Sequence, residues 1–474
     1  MTSLLGVFFI ILYVYTLISI ISVVLLENRN PMKTLSWILV LIFLPFIGIF
    51  FYLIIGQNYR KEKIISKKSI QRINERPIAT YEIKFLETSI IYKNHLNLVK
   101  LLFKNSEATG YAFNKIDIFA DGKETFDSMF EAIKNAKEHI HIEFFIFEDD
   151  KISNQLRELL ISKAKEGVRV RMIYDFLGSW LLSKRYLYSL QKAGVFARPF
   201  LPFKLRLGRS KINLRNHRKL LIVDGMVGFT GGLNVADRYF FGNILGKWRD
   251  TFVRFEGSVV HGLQQVFLND WYFVERKLIN DSRYFPEPRK FDDNLVQIVS
   301  SGPDTDWEAI MQGIASAVMS SKKYIFIQTP YFVPPEAILN AIQIAALSGV
   351  DVRLMVPVKS DSRLSDNCTS SYLNEILEAG VRVYRYRKGF LHSKAIVIDD
   401  FISIVGSANM DERSFNSNFE VNAFIYDSDT ALQLKGLYLA DCELCEEISI
   451  DSWNKRKRRQ KLKESIARLF SPLV

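Results

Sequence analysis

Two histidine–lysine pairs, His217 with Lys219 and His392 with Lys394, open the same pattern in two places. The pattern is H-x-K-x4-D-x6-G-[GS]-x-N, read as HRKLLIVDGMVGFTGGLN from His217 to Asn234 and as HSKAIVIDDFISIVGSAN from His392 to Asn409. In each copy the four residues between Lys and Asp are apolar, mostly branched, and of the length of a short buried strand. Histidine and lysine two apart at the entrance to such a strand face one way. One imidazole and one ammonium aimed at one point suit a phosphate, because the cation holds the oxygens while the imidazole attacks phosphorus or moves a proton. Two copies supply two of each. Asp224 and Asp399 end the strands and complete the candidate catalytic set in a structural or electrostatic role rather than a directly reacting one.

The elements that position these residues repeat as well. The first half carries FDSMFEAIKNAKEHIHIEFFIF, LRELLISKAKEGVRVRMIYD, LQKAGVFARPF and then the motif. The second carries WEAIMQGIASAVMSSKKYIFIQTPYF, ILNAIQIAALSGVDVRLMVP, LNEILEAGVRVYRY and then the motif. Helical periodicity followed by a short apolar run predicts βαβ units, with strands after Gly167, Gly194, Gly349 and Gly380. The expected fold is therefore α/β, two duplicated domains with a parallel or mixed sheet in each. A pseudo-two-fold axis would bring the motif strands edge to edge, and neither half should work alone.

The duplicated motif resembles the paired HKD motifs of the phospholipase D superfamily. The longer context, LRNHRKLLIVD, WRDTFVRFEG, GFLHSKAIVID, GSANMDERSF and NFEVNAFIYD, is similar to bacterial cardiolipin synthases along nearly the whole chain. The resemblance implies one active site at the seam between two phospholipase D-like domains. It implies Asp250 (in WRD) and Glu420 (in NFE) as acidic partners of the two histidines, and Asn234 and Asn409, with Gly232 and Ser407, as phosphate-side donors. It also implies a phosphatidyl transferase that joins two phosphatidylglycerols into cardiolipin and releases glycerol through a phosphatidyl-histidine. His217 is expected as nucleophile and His392 as acid and base, although the two motifs are nearly interchangeable and the reverse assignment stays open. A phospholipase D hydrolase or another phosphatidyl transferase would use the same residues. A nucleic-acid phosphodiesterase would share the motif pair but has no need of membrane segments.

Length and composition agree with a lipid partner. The 474 residues can hold two or three domains, 48% are hydrophobic, and the net charge of +12 fits an anionic partner, either a lipid surface or nucleic acid. Residues 4–26 and 35–55 are uncharged runs long enough to cross a bilayer, joined by ENRNPMK, so 1–58 reads as a transmembrane helical hairpin. No positive stretch precedes the first run and no small-x-small cleavage site follows it, which argues against a cleaved leader. Arg60, Lys61, Lys63, Lys67, Lys68 and Arg72 follow the second run, against Arg29 and Lys33 in the loop. This excess places both the N-terminus and the catalytic domains on the cytoplasmic side of a multi-pass cell-membrane protein.

The expected boundaries are a basic connector at 59–107, a first domain at 108–285, a second at 286–450 and a basic tail at 451–474. Leu462, Ile466, Leu469 and Phe470 recur at helical spacing in that tail, which suits either an anionic lipid surface or a solvated basic helix. His95, His139, His141 and His261 read as structural. Cys368, Cys442 and Cys445 read as reduced thiols, the C-x-x-C having no second pair to complete a zinc site. With no H-E-x-x-H, no carboxylate cluster of ligand spacing and no glycine-rich nucleotide loop, no metal and no cofactor are expected, and nucleic acid is not an expected partner.

Overall fold

The computed structural model describes residues 2–26, 31–44, 48, 49, 52, 95–202, 213–279 and 281–473. They fall into two compact units, one holding the N-terminal helices and one holding residues 95–202 and 215–473.

In the first unit, α1 (Thr2–Leu26) is 25 residues long with no charged side chain, and α2 (Pro31–Phe43) is 13 residues long. Val24, Leu41 and Tyr52 are buried together, and Tyr52 meets Trp37 edge to face at 5.3 Å. Counted over the described residues, no helix is long and apolar enough to cross a membrane. Part of the second expected span, and residues 59–94 of the basic connector, lie outside the described residues.

The second unit opens with α3 (Leu96–Ser106) and then runs through two repeats. The first is β1 (Gly110–Asp121), α4 (Gly122–Lys134), β2 (His139–Phe144), α5 (Lys151–Lys165), β3 (Arg169–Asp175), α6 (Lys184–Lys192), β4 (Phe196–Phe200), β5 (Arg215–Asn216), β6 (Leu220–Val223), β7 (Val227–Gly231), α7 (Asp237–Phe241), β8 (Lys247–Glu256) and α8 (Val260–Glu275). The second is β9 (Asp292–Ser301), α9 (Ala309–Met319), β10 (Tyr324–Gln328), β11 (Phe332–Val333), α10 (Glu336–Leu347), β12 (Asp351–Pro357), α11 (Arg363–Glu378), β13 (Arg382–Tyr386), β14 (Gly389–Leu391), β15 (Ala395–Ile398), β16 (Ile402–Gly406), β17 (Met410–Asp411), α12 (Glu412–Asn416), β18 (Asn418–Tyr426) and α13 (Ser428–Cys442). After it come β19 (Cys445–Ile448), α14 (Ile450–Asn454) and α15 (Arg458–Arg468). Strands do follow Gly167, Gly194, Gly349 and Gly380. Each of these glycines has φ near +90°, the left-handed turn that ends a helix where a side chain would be strained.

Pairing gives each repeat the same mixed sheet. In the first the order is β4-β3-β2-β6-β7-β8-β1, with β2, β3 and β4 parallel and the rest antiparallel. In the second it is β13-β12-β10-β15-β16-β18-β9, with β10, β12 and β13 parallel. β1 pairs antiparallel with β9, which joins the sheets at the pseudo-two-fold axis. Both motif strands are covered on both faces, which is why they read as continuous apolar runs rather than alternating ones. In β6, Leu220 and Ile222 enter the core shared by the two repeats, whereas Leu221 and Val223 pack under the first repeat's helices. In β15, Ala395 and Val397 face the shared core, and Ile396 and Ile398 pack under the second repeat's helices.

Two short strands then cross the seam. β5, just before the first motif, pairs in parallel with β18 of the second repeat. β14, just before the second motif, pairs in parallel with β8 of the first.

The basic tail is not a free appendage. Trp453 is buried, Cys368 of α11 donates its thiol to the carbonyl of Ala467 at 3.1 Å, and Arg468 pairs with Glu375.

Candidate active site

Because of the crossed strands, each motif histidine is held by the opposite repeat. The backbone N–H of His217 donates to the carbonyl of Phe419 at 2.9 Å, and that of His392 donates to the carbonyl of Arg249 at 2.7 Å. One residue beyond each of those carbonyls stands a carboxylate. His217 Nδ1 lies 2.9 and 3.0 Å from the two oxygens of Glu420, and His392 Nδ1 lies 2.6 Å from Oδ2 of Asp250. Both acidic partners implied by the resemblance thus lie in reach, and each comes from the other half. Lys219 and Lys394 curl back to donate from Nζ to the carbonyls of their own histidines at 2.5 Å, and Lys394 Nζ also sits 3.0 and 3.1 Å from the two ring nitrogens of His392. All six side chains are buried.

The electrostatics follow from that burial. Desolvation lowers His217 to about 4 against the pull of Glu420, and it takes His392 well below its usual value with help from Lys394 and Lys219. Burial brings Lys394 down to about 8 and Lys219 well below the ordinary lysine range. Burial also lifts Asp250, to about 6, although Lys394 opposes it. Glu420 meets the same penalty, but His217, Lys219 and Ser407 outweigh it and hold the carboxyl at about 2. At neutral pH the first pair is therefore a neutral imidazole donating a hydrogen bond from Nδ1–H to an ionised Glu420, which leaves Nε2 with a free lone pair. Each histidine feels the lysine of the other motif, so the four groups share one site.

The remaining motif positions serve these pairs. Ser407 donates its hydroxyl to Glu420 Oε2. At the equivalent Gly232 a Cβ would come within 2.2 Å of Asp250 Oδ1, so only glycine leaves room for that carboxylate. Gly232 and Ser407 thus back the acids instead of presenting donors toward a phosphate. Asn234 is engaged within the fold: its carbonyl oxygen accepts from the N–H of Ile146 at 3.2 Å and its amide donates to Tyr239 Oη at 2.7 Å. Asn409 keeps a buried side-chain oxygen with no hydrogen-bond partner among the described residues.

Asp224 and Asp399 do not belong with the reacting groups. Each stands beyond a four-residue strand, about 16 Å from its lysine at ~3.3 Å per residue. Asp224 accepts from the N–H groups of Lys137, Glu138 and His139 at 2.8, 2.8 and 2.9 Å. Asp399 does the same for Lys322, Lys323 and Tyr324 at 2.6, 2.8 and 2.9 Å. Each caps the loop before the neighbouring strand while holding a positive φ of its own, 54° and 53°. They hold the structural role expected of them, at the far end of each motif strand from the histidine and lysine.

Several contributors carried no motif signal. The ring of Phe145 meets His217 edge to face at 5.0 Å, while Tyr239, Trp248 and Phe390 surround His392 at 5.4, 5.3 and 5.8 Å. Thr251 and Ser393 share a hydrogen bond of 2.7 Å across the seam. Tyr331 donates to Asp361 at 2.7 Å, and the Asp361 carboxylate acts on His392. Phe332 is buried in the second repeat's core. The other histidines are engaged elsewhere. His139 and His141 share Gln264, His261 bonds the carbonyl of Pro286, and His95 stacks on Phe401.

Comparison with known proteins agrees with this geometry. Residues 129–271 and 314–439 match the family model described as cardiolipin synthase, PLD-like domain, and residues 11–57 match the phospholipase D-nuclease N-terminal model. The chain is 42% identical over 471 residues to a cardiolipin synthase of Alkalihalophilus pseudofirmus, covering 98% of this chain and 93% of that protein. It is 38% identical to the major cardiolipin synthase of Bacillus subtilis, covering 98% of each. Among solved structures, phosphatidylserine synthase of Haemophilus influenzae superposes with a TM-score of 0.60 at 14% identity over 80% of this chain and 100% of that one, a likeness of fold. A duplicated motif assembled across a seam, matched along nearly its whole length by curated relatives, places the chain in the phospholipase D-like cardiolipin synthase family.

Proposed function

We propose that this protein is a cardiolipin synthase that transfers a phosphatidyl group between two phosphatidylglycerols. The observation that supports the reading is the pair of crossed histidine–carboxylate contacts, with each buried histidine also under the charge of the other motif's lysine. His217 Nε2 attacks the phosphodiester phosphorus, the bond to the terminal glycerol oxygen breaks, and His392 delivers a proton to that oxygen. His392 then takes the proton from the free hydroxyl of a second phosphatidylglycerol as its oxygen displaces His217 from phosphorus. Glycerol and cardiolipin are the products. His217 suits the covalent role because Glu420 is ionised through the working pH range and stabilises a cationic phosphatidyl-imidazole, whereas Asp250 ionises only near 6. The lysines neutralise the phosphate oxygens. The arriving phosphodiester is itself the anion that lets His392 hold a proton before the first step.

Transfer to a lipid alcohol instead of water requires a confined acceptor and a dry pocket. Burial of both histidines supports the second condition. For the first, residues 1–58 form a membrane hairpin in this proposal, with the catalytic unit at the cytoplasmic face. The test is product analysis of the full-length protein in phosphatidylglycerol bilayers. Cardiolipin and free glycerol are expected, and phosphatidic acid as the main product would identify a hydrolase. Cysteines placed at Asn30 and Ser66 test the orientation. The first should react with an impermeant reagent on intact cells and the second only after lysis; the reverse would overturn it.

A further inference from the structure

The C-terminal helix α15 is packed inside out for a helix in water. Its face against the protein carries Glu464, 3% exposed, which accepts from Arg456 at 2.9 Å and Gln460 at 3.0 Å. Ala467 lies on the same side beneath α11. The opposite face and the turn after it leave Leu462, Ile466, Leu469 and Phe470 exposed at 61, 51, 78 and 45%. An amphipathic helix of a soluble domain buries its apolar stripe and shows its charges, and a glutamate is almost never buried unless paired. Here the glutamate pairing fixes the reversed orientation, and the apolar stripe at i, i+4, i+7 and i+8 is left with no protein over it among the described residues.

Charge identifies what covers that stripe. From Trp453 to Phe470 the chain has eight lysines and arginines and one acidic residue, Glu464, which is already paired inside. A second copy of the chain would bring the same positive charges to the contact, whereas an anionic phospholipid surface supplies both headgroup charge and an apolar layer. We infer that α15 is an interfacial docking element that lays Leu462, Ile466, Leu469 and Phe470 into the headgroup region of an anionic bilayer, and that α14 and α11 transmit this anchorage to the second repeat. The inference rests on the lipid-substrate reading and adds a second attachment point, on the catalytic unit itself.

The experiment uses the full-length protein with an environment-sensitive fluorophore on Leu462→Cys, Leu469→Cys or, as a control at the strand end beside Asp224, Lys137→Cys. In bilayers containing phosphatidylglycerol the first two labels should shift to the blue and be quenched by brominated lipid. The control should do neither. In pure phosphatidylcholine, or at molar salt, the shift should shrink, because the attraction is screened. Leu462→Ser combined with Leu469→Ser removes exposed side chains and should leave thermal unfolding unchanged. It should lower cardiolipin formation on vesicles about tenfold relative to the same lipid in detergent. Labels that stay aqueous on phosphatidylglycerol, shielding that appears without lipid and grows with protein concentration, or an unchanged vesicle-to-detergent ratio would each overturn the inference. Lipid-quenched labels without any cardiolipin product would instead leave the docking standing and refute the synthase reading.

Discussion

His217 and Glu420 are 203 positions apart in the chain and 2.9 Å apart in space. Their mirror pair, His392 and Asp250, is 142 positions apart and 2.6 Å apart. Each acid orients a histidine of the other repeat, so replacing either should damage chemistry more than folding. Glu420→Gln is expected to lower kcat by ~10² to 10⁴ with little change in KM, and His217→Ala and His392→Ala by at least as much. Trapping with radiolabelled phosphatidylglycerol separates the histidines. His392→Ala should still form a labelled protein slowly, and His217→Ala should form none. Near-normal turnover by either histidine variant would dissolve the two-motif site.

The pH dependence of kcat/KM should be bell-shaped. Asp250, raised above its usual value to about 6, loses its charge as pH falls through that point, and His392 loses its orienting partner with it. Lys394, lowered to about 8, loses its charge as pH rises through that point, and the phosphate loses a counter-ion. Limbs near 6 and 8 are expected. Lys394→Arg, charged at every accessible pH, should move the alkaline limb upward even at reduced rate; a limb that stays put assigns it to another group.

Gly232 and Ser407 occupy equivalent positions but should not tolerate change equally. Gly232→Ala drives a Cβ into Asp250 and should cost about a hundredfold in kcat by displacing that carboxylate from His392. Ser407→Gly only removes one hydrogen bond to Glu420, so a few-fold loss is expected. Steady-state kinetics on both variants decide this, and equal losses would contradict the asymmetry.

Asp224→Ala and Asp399→Ala should report on stability. Each carboxylate satisfies three backbone N–H groups, and their loss is expected to cost ~2 to 4 kcal/mol. Thermal unfolding should drop by several degrees while the activity of the protein that remains folded stays within a few-fold. The motif lysines should behave in the opposite way.

The legibility of these features in the sequence depends on their range. Local chemistry was plain: the His-x-Lys spacing, the buried runs after it, and the glycines at positive φ before β3, β4, β12 and β13. Asp250 and Glu420 came only through resemblance, because no periodicity links residues 142 or 203 positions apart. β5 and β14, two and three residues long, are too short to leave a pattern, yet they cross the seam. Asp224 and Asp399 share the motif because the loop they cap is repeated with it; their place at the far end of a four-residue strand from the lysine already marks them as scaffold, and only the structure shows which N–H groups they hold. In the tail, helical spacing reveals the stripe at Leu462 and Ile466, but which side faces the protein is decided by the buried Glu464 and its half-buried partner Arg456.

The exchange of β5 and β14 also orders events in time. During synthesis His217 leaves the ribosome long before Phe419 and Glu420 exist, so the growing first repeat carries this histidine without the backbone acceptor and carboxylate that align it. Asp250 likewise waits for His392. A chain stopped before the second repeat is complete therefore lacks the partners that align either histidine, and both alignments arrive together, when the last seam strand closes.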